Sequence, residues 1–314
     1  MVTQELLANL AQDYYQSNLN LAELSTKYNL SRYLVNKYLD QAREEGIVTF
    51  TIQSPDVRNQ QLEQQLGEYF GIKNLYILKN SADPKQNLDN INRFAARKVE
   101  NYILQSHVIG TTWGSVIYNI INEFHGGVLE NSVFTQFIGE NMKYHSEAGS
   151  MRMVERIADR FSSEYMTLAG PLYIINDDTR NGMLKEIAAS ATLKMAARME
   201  LILTSLGTLD SIKSIPTWSK NVDKIFPQVN LEQVAGLAYG RPYDIYGNFL
   251  NQHHDTTFGL DLNTILQTPI RFVTVKSTFK TRALLGALRG HLFTDVVTNE
   301  MVAQRIIFEL RKGS

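Results

Sequence analysis

From residue 72 onward, short apolar runs alternate with longer amphipathic segments, and no other feature of the chain limits its fold as much. The runs are Leu75–Leu78, Val108–Gly110, Val133–Ile138, Met166–Leu168, Leu201–Thr204, Val234–Leu237, Phe272–Val275 and Val296–Val297. Helical spacing fills several of the gaps, over 89–105, 114–124, 148–162, 182–198, 278–290 and 299–312. Short apolar runs suit strands buried on both faces, and their alternation with helices predicts an α/β domain with a largely parallel, Rossmann-like sheet. A chain of 314 residues with 44% hydrophobic side chains can fill such a core and still carry a second, smaller domain. Sheets of this kind bind ligands outside the carboxyl ends of their strands. The residues that follow each run are therefore the candidates for a site.

Four such places stand out. In Ile109–Val116 a strand ends in Gly110, the hydroxyl residues Thr111 and Thr112 follow, and a helix begins near Gly114. Amide N–H groups at a helix N-terminus attract anions, so this loop is a candidate phosphate cradle. The segment Gln136–Glu140 ends a strand with Gly139 and the carboxylate of Glu140, which can accept sugar hydroxyls. The stretch Gly236–Leu250 places glycines, an arginine and Asp244 after a strand, as a polyol-facing loop would. In Val275–Lys280 a lysine sits in the first turn of a helix, where the helix dipole disfavours a cation unless an anion is also present. Lys280 is thus expected to hold a phosphate. The triplet His253-His254-Asp255 lacks the spacing of a metal site, and neither a nucleophile elbow nor a Walker loop occurs.

The front of the chain has a different pattern. Residues 4–16 carry apolar side chains at helical spacing, at Leu6, Leu7, Leu10, Ala11, Tyr14 and Tyr15. Asn20 and Glu23 form a capping-box pair for a second helix that ends at Asn29, and Ser31 caps a third. The third helix turns Leu34, Val35, Tyr38, Leu39 and Ala42 inward and leaves Arg32, Tyr33, Asn36, Lys37, Asp40 and Arg43 outside. This is a helix-turn-helix pattern. Its outer face suits DNA, because Arg forks onto guanine, Asn onto adenine, and Lys and Tyr hold phosphate. The expected DNA-binding residues are Ser31, Arg32, Tyr33, Asn36, Lys37 and Arg43. The alternating segment Ile47–Gln53 predicts the strand of a wing. A helical hairpin that docks a protein partner remains the alternative.

Charge bears on that reading. Residues 1–50 hold four basic and six acidic side chains, a net charge of −2, although residues 31–43 alone carry three bases and one acid. A single weakly basic module binds DNA poorly, so several copies are expected to act together. Residues 57–70 read as a connector helix with a narrow stripe of Leu62, Leu66 and Phe70, suited to pairing with its copy or to packing on its own body. The domain limits are then 1–54 for the winged helix-turn-helix, 55–71 for the connector and 72–314 for the large body. The absence of cysteine excludes disulfides and thiol catalysis. No long apolar span or signal peptide is evident, which predicts a cytoplasmic protein without a membrane partner. No cofactor is expected.

With these segments placed, the chain resembles the SorC/DeoR-type sugar-binding transcriptional regulators over nearly its full length. The matching passages are Ser31-Arg32, Gly110–Gly114, Ala158–Pro171, Ser205–Gly207, Gly236–Gly247 and the final Lys280, Ala287–Gly290, Val297–Glu300 and Ala303. The resemblance implies a helix-turn-helix joined to an effector domain similar to sugar-phosphate isomerases and deaminases. It also implies a phosphorylated sugar effector and a homo-oligomer, dimer or tetramer, acting on operator DNA. Gly110, Thr111, Thr112, Gly114 and Lys280 would face the phosphate, and Asp244 would lie near the sugar. The chain departs from the family pattern at Ser277-Thr278, Asn251 and Asn299, where the family has a Gly-Gly pair and two Asp residues. The alternative is a sugar-phosphate isomerase or deaminase carrying a helical extension, with Glu140, Asp244 or Asp255 as its base.

Overall fold

The computed structural model describes residues 3–48, 57–81, 84–141 and 150–312. Two compact units divide the chain, Met1–Pro55 and Asp56–Ser314. No helix among the described residues is long and apolar enough to cross a membrane.

The described residues of the first unit form three helices: α1 (Gln4–Tyr15), α2 (Leu21–Tyr28) and α3 (Arg32–Glu44). Each start is fixed by a side chain that accepts an otherwise unpaired amide N–H. Thr3 accepts from Leu6, and Ser31 from Leu34. Asn20 accepts from Ala22 and Glu23, while the Glu23 carboxylate accepts the Asn20 amide at 2.8 Å, closing a capping box. Asn29 ends α2 in the left-handed region at φ 51°. Leu7, Leu10, Ala11, Leu24, Val35, Leu39 and Ala42 fill the centre. Asp13 on α1 takes Lys27 Nζ at 2.6 Å and Tyr28 Oη at 2.5 Å, tying α2 to α1. Those two hydrogen bonds hold the Asp13 carboxyl below its usual range, and burial leads the rise of the Tyr28 phenol to about 12. Ile47 and Val48 pack half-buried against this core. Residues 49–53 of the expected wing lie outside the described residues.

The second unit begins with residues 57–59, which pair antiparallel beside β1 (Asn74–Leu78). Asn59 N donates to Ile77 O at 2.7 Å and Lys79 N to Val57 O at 2.8 Å. Helix α4 (Gln60–Phe70) follows, capped by Asn59 Oδ1 and ended by Gly71 at φ 66°. Its apolar stripe lies against its own body: Leu66 and Phe70 are buried there and Leu62 is half-buried. The stripe is therefore largely occupied within the second unit.

The remaining elements are α5 (Pro84–Ile103), β2 (Val108–Thr111), α6 (Ser115–Asn122), β3 (Val133–Thr135), α7 (Ser150–Arg160), β4 (Glu164–Met166), α8 (Asp177–Lys185) and α9 (Ile187–Ala196). After them come β5 (Leu201–Thr204), α10 (Leu209–Lys213), α11 (Pro216–Ser219), α12 (Val222–Ile225), β6 (Gly236–Ala238), β7 (Arg241–Tyr243), α13 (Leu262–Leu266), β8 (Ile270–Val275), α14 (Thr281–Arg289), β9 (Asp295–Asn299) and α15 (Glu300–Lys312). Seven strands make one parallel sheet in the order β1-β9-β8-β5-β2-β3-β4. Successive side chains alternate between two cores, as in Leu201 and Leu203 on one face and Ile202 on the other. Helices α5, α6 and α7 cover the first face; α4, α9, α14 and α15 cover the second.

Three expectations need correction. The run Val234–Leu237 does not join the parallel sheet. Its last residues start β6, which pairs with β7 in a hairpin whose turn, Tyr239-Gly240, has φ 54° and 79°, while Leu237 also bridges Gly207 beyond β5. Positive φ at both central residues is what a tight two-residue hairpin turn demands. The helix expected over 182–198 is two helices, because Glu186 adopts an extended conformation between α8 and α9. The region 205–230, read without structure, holds α10, α11 and α12.

Candidate functional site

The strand order reverses between β2 and β5. From β2 the chain continues outward to β3 and β4, and from β5 it continues the other way to β8 and β9. The crevice at such a switch point is where open α/β sheets bind ligands. A cavity of about 330 Å³ lies there, lined by the ends of β2 and β5, the segment α10–α11, the β6–β7 turn and Lys280. That volume is at the small end of the range for small-molecule sites.

One end of the cavity is polar. Thr112 Oγ1 lies 3.1 Å from Thr204 Oγ1, and Ser205 Oγ donates to Trp113 O at 2.9 Å. Gly114, at φ 132°, is the cap residue of α6 and offers no side-chain acceptor to that helix's first amides. A side chain at Gly114 would carry its Cβ to 3.3 Å from Ser205 Oγ, so glycine keeps the approach open. Lys280 stands at the N-terminal boundary of α14 without capping it, and its Nζ donates to Leu206 O at 2.6 Å. Burial, reinforced by Lys276, pulls the Lys280 amine below the usual lysine range. Hydroxyls, a helix start and one cation thus share a small volume, a donor set that suits an anion.

The other end is apolar and aromatic. Leu172, Ile212, Ile215, Leu237 and Trp218 line it, and Trp218 meets Tyr173 edge-on at 5.0 Å. Tyr173 Oη donates to Gly240 O at 2.7 Å, and Tyr239 Oη to Leu292 O at 2.8 Å. Below the turn, buried Arg241 pairs with Asp255 at 2.6 Å and donates to Tyr239 O and Leu260 O, which fixes the hairpin.

Of the sequence-derived effector residues, Thr112, Gly114 and Lys280 line the cavity, whereas Gly110, Thr111, Gly139, Glu140 and Asp244 do not. Gly110 is inside β2, where a Cβ would stand 2.1 Å from Met199 Sδ and 3.1 Å from Phe137. Close packing is its reason for being glycine. Thr111 is buried and directs Oγ1 to the Thr112 carbonyl. Gly139 is pressed to Pro171, whose oxygen a Cβ would approach to 2.6 Å. Glu140 bridges Gly170 and Leu172 through its backbone, and burial raises its carboxyl above the usual range. Asp244 accepts from the amides of Tyr246 and Asn248 and from Asn248 Nδ2, so it closes its own turn. Trp113, Ser115, Asn141, Tyr173, Trp218 and Tyr239 also line the cavity, and no sequence motif marks them. The one available signal was rarity, since Trp113 and Trp218 are the only tryptophans in the chain. No group of three or more potential metal ligands occurs among the described residues, His253-His254-Asp255 included.

On the first unit, Arg32, Tyr33, Asn36 and Lys37 share the exposed face of α3, with Tyr33 75% exposed. Ser31 is occupied as the cap, and Arg43 is paired with Asp40. Among the described residues neither Arg32 nor Lys37 has an ion-pair partner.

A further set of contacts links the end of β8 and the β9–α15 junction to residues 58–80. Lys276, just after β8, receives Asn299 Nδ2 on its carbonyl at 3.0 Å. The next residue, Glu300, accepts Asn59 Nδ2 at 2.6 Å and Asn80 N at 3.1 Å. Arg58 pairs with Glu63 at 2.6 Å, and Glu63 also accepts the Ile77 amide at 2.8 Å.

Residues 55–308 match the family described as "Putative sugar-binding domain". The chain is 23% identical to the sorbitol operon regulator of Klebsiella pneumoniae, with 96% of this chain and 97% of that protein covered. It is 19% identical to the deoxyribonucleoside regulator of Bacillus subtilis, with 98% of each covered. The crystal structure of the full-length sorbitol operon regulator SorC from Klebsiella pneumoniae superposes with a TM-score of 0.77 at 21% identity, covering 98% of this chain and 99% of that one. These relatives are named as regulators of transcription rather than as enzymes. The chain belongs to the SorC/DeoR-type family of sugar-binding transcriptional regulators.

Proposed function

We propose that this chain is a sequence-specific DNA-binding regulator of a carbohydrate-utilisation operon, controlled by a phosphorylated sugar held in the switch-point cavity. One observation carries this reading. The uncapped start of α6, the hydroxyls of Thr112 and Ser205, and Lys280 converge at the polar end of that cavity. An anion would give that donor set a common partner, with Ser205 Oγ and Lys280 Nζ turning to it from the Trp113 and Leu206 carbonyls. The reading head is α3, with Ser31 setting its start and Arg32, Tyr33, Asn36 and Lys37 directed to DNA. Arg43 is a backbone contact if it leaves Asp40. The fold is a winged helix-turn-helix if residues 49–53 supply the wing.

The first unit is weakly charged, so productive binding requires a homo-oligomer, dimer or tetramer, that presents several heads at once. An effector then acts by favouring one arrangement of heads, and a coupling of about 1–3 kcal/mol suffices for a 5- to 150-fold change in operator affinity. The path we assign runs from Lys280 through the neighbouring charge of Lys276, and on through Asn299 to Glu300 and Asn59, at the start of the connector.

The decisive experiment is a thermal-shift screen of sugar phosphates against their parent sugars, followed by operator titration with each hit. A phosphorylated ligand that raises the melting temperature and shifts operator affinity supports the reading. A tight phosphorylated ligand that leaves operator affinity unchanged overturns it.

A further inference from the structure

Helix α3 carries two stripes on opposite sides. Val35, Leu39 and Ala42 are buried in the core of the first unit. Tyr33, Lys37, Asp40 and Glu44 repeat at the same spacing but two residues out of step, about half a turn round the helix, so they face directly away from that core. Charge divides this outer stripe along its length. Its C-terminal half is acidic, with Asp40 and Glu44, and Asp40 holds Arg43. Its N-terminal half has Tyr33 and Lys37, with Arg32 and Asn36 beside them, at the positive end of the helix dipole. A polyanion is attracted to the first half and repelled by the second, so α3 meets DNA by its first turns.

Tyr33 is the residue of that stripe in the first turn. At 75% it is the most exposed tyrosine, phenylalanine or tryptophan among the described residues. Its ring meets no other ring and no cation there, and its hydroxyl has no hydrogen-bond partner. A bare ring in water contributes no packing to the first unit. In the major groove the base edges offer hydrogen-bonding groups and one methyl group, the C5-methyl of thymine. A phenol hydroxyl that trades water for another acceptor gains little net, whereas a ring laid on a methyl takes apolar area out of water on both sides. We infer that Tyr33 is a specificity-determining residue whose ring, not its hydroxyl, reads a thymine C5-methyl in the operator. That role differs from the phosphate contact that the residue type alone suggests, and it rests on the reading of α3 as the helix that enters DNA.

The test uses the full-length protein and a duplex that it selects from a random library, with binding read by anisotropy of the labelled duplex. Uracil in place of thymine removes the C5-methyl and leaves the pairing edge unchanged. Thymines are therefore replaced by uracil one position at a time, in every half-site. At one position the parent should lose about fourfold per half-site, the worth of one buried methyl. Tyr33→Ala should weaken the unmodified duplex by about tenfold or more, and should lose less than about twofold on the same uracil replacement. Tyr33→Phe keeps the ring and drops the hydroxyl, so it should stay within about threefold of the parent and keep the full uracil loss. The position is exposed, so both variants should melt as the parent does. A Phe variant as weak as the Ala variant would give the contact to the hydroxyl and overturn the inference. A uracil loss that Tyr33→Ala leaves unchanged, or a selected duplex with no sensitive thymine, also overturns it, and in each of these cases DNA binding itself stands. If the parent selects no duplex at all, the reading of α3 as the reading head falls, and this inference falls with it.

Discussion

Glu300→Ala should uncouple the effector from the operator while leaving each binding event intact. Glu300 makes two side-chain hydrogen bonds, to Asn59 Nδ2 and to Asn80 N. It is half-buried and remote from the cavity lining. A bond to a carboxylate is worth about 1.5–3 kcal/mol when buried; partial exposure brings each of these to about 1 kcal/mol. Their loss removes about 2 kcal/mol of preference for the present position of the connector's start, a ceiling of roughly thirtyfold on the coupling. Asn59 cannot compensate by turning its amide, because Oδ1 is held by the Leu62 amide as the cap of α4. Glu300→Gln is the sharper version. It keeps one acceptor but sets an NH₂ group against either the Asn59 NH₂ or the Asn80 amide.

Two titrations suffice. Tryptophan fluorescence gives the effector affinity, and anisotropy of a labelled duplex gives operator affinity with and without effector. The duplex is obtained by selection from a random library. The expected result is an effector affinity within twofold of the parent and an effector-induced change in operator affinity reduced by fivefold or more. Full coupling in both variants would refute the assigned path. A tenfold loss of effector affinity would refute it differently, by placing Glu300 in the site.

Three other outcomes are expected. Arg32→Ala should weaken operator binding by about 1–3 kcal/mol and relax specificity at one base position, while Lys37→Ala should weaken all sequences alike and lower the salt slope by about one; both are read from salt-dependent anisotropy titrations. Gly110→Ala should destabilise the second unit by about 1–3 kcal/mol without changing effector affinity, and Met199→Ala in the same chain should restore part of the loss in denaturant melts, because Met199 Sδ is the atom the new methyl meets. The Lys280 amine sits below the usual lysine range, so the unfolded chain binds more protons between the two pKa values, and this group's contribution to ligand-free stability rises with pH across that window. A bound phosphate draws the proton back, so effector affinity should fall as pH rises through the ligand-free Lys280 pKa, and a flat profile that Lys280→Met leaves unaltered would contradict the assignment.

The parallel sheet was legible because its inner strands are buried on both faces, so each is a short apolar run whatever its neighbours; the exposed edge strand β4 (Glu164–Met166) is the exception, overlapping the expected run Met166–Leu168 only at Met166. Leu75–Leu78, Leu201–Thr204 and Phe272–Val275 all lie where that rule puts them. The three helices of the first unit were legible for a different reason. Their boundaries depend on local capping by Asn20, Ser31 and Asn29, chemistry that needs no tertiary context. The α10–α12 segment was not legible, because helices of four or five residues are too short to display a period. Their stability comes from contacts such as Trp218 on Tyr173, which are distant in sequence.

The site residues divide by a rule that the sequence alone applies only in part. Within a strand, side chains alternate between the two faces of the sheet, and both faces are covered by helices. Gly110 and Thr111 are still in β2, and each is accordingly buried in packing. At β2 the chain reaches the crevice only past the last strand residue, which is why Thr112 and Gly114 line the cavity and their predecessors do not; at β5 the last strand residue, Thr204, already lines it. Ser205 and Gly207 follow the end of β5, and Lys280 follows the end of β8, in the same way. Asp244 obeys the rule too, although its place after an apolar run suggests a sugar-facing carboxylate. It follows β7, a strand of the separate hairpin, so no crevice of the parallel sheet opens beside it and its carboxylate turns back on its own loop. A glycine-threonine motif therefore marks a ligand site only at the residues beyond the strand end, and only on strands that flank the switch point. Here those strands are β2 and β5, and the tryptophan that completes the cavity comes from the segment that follows β5.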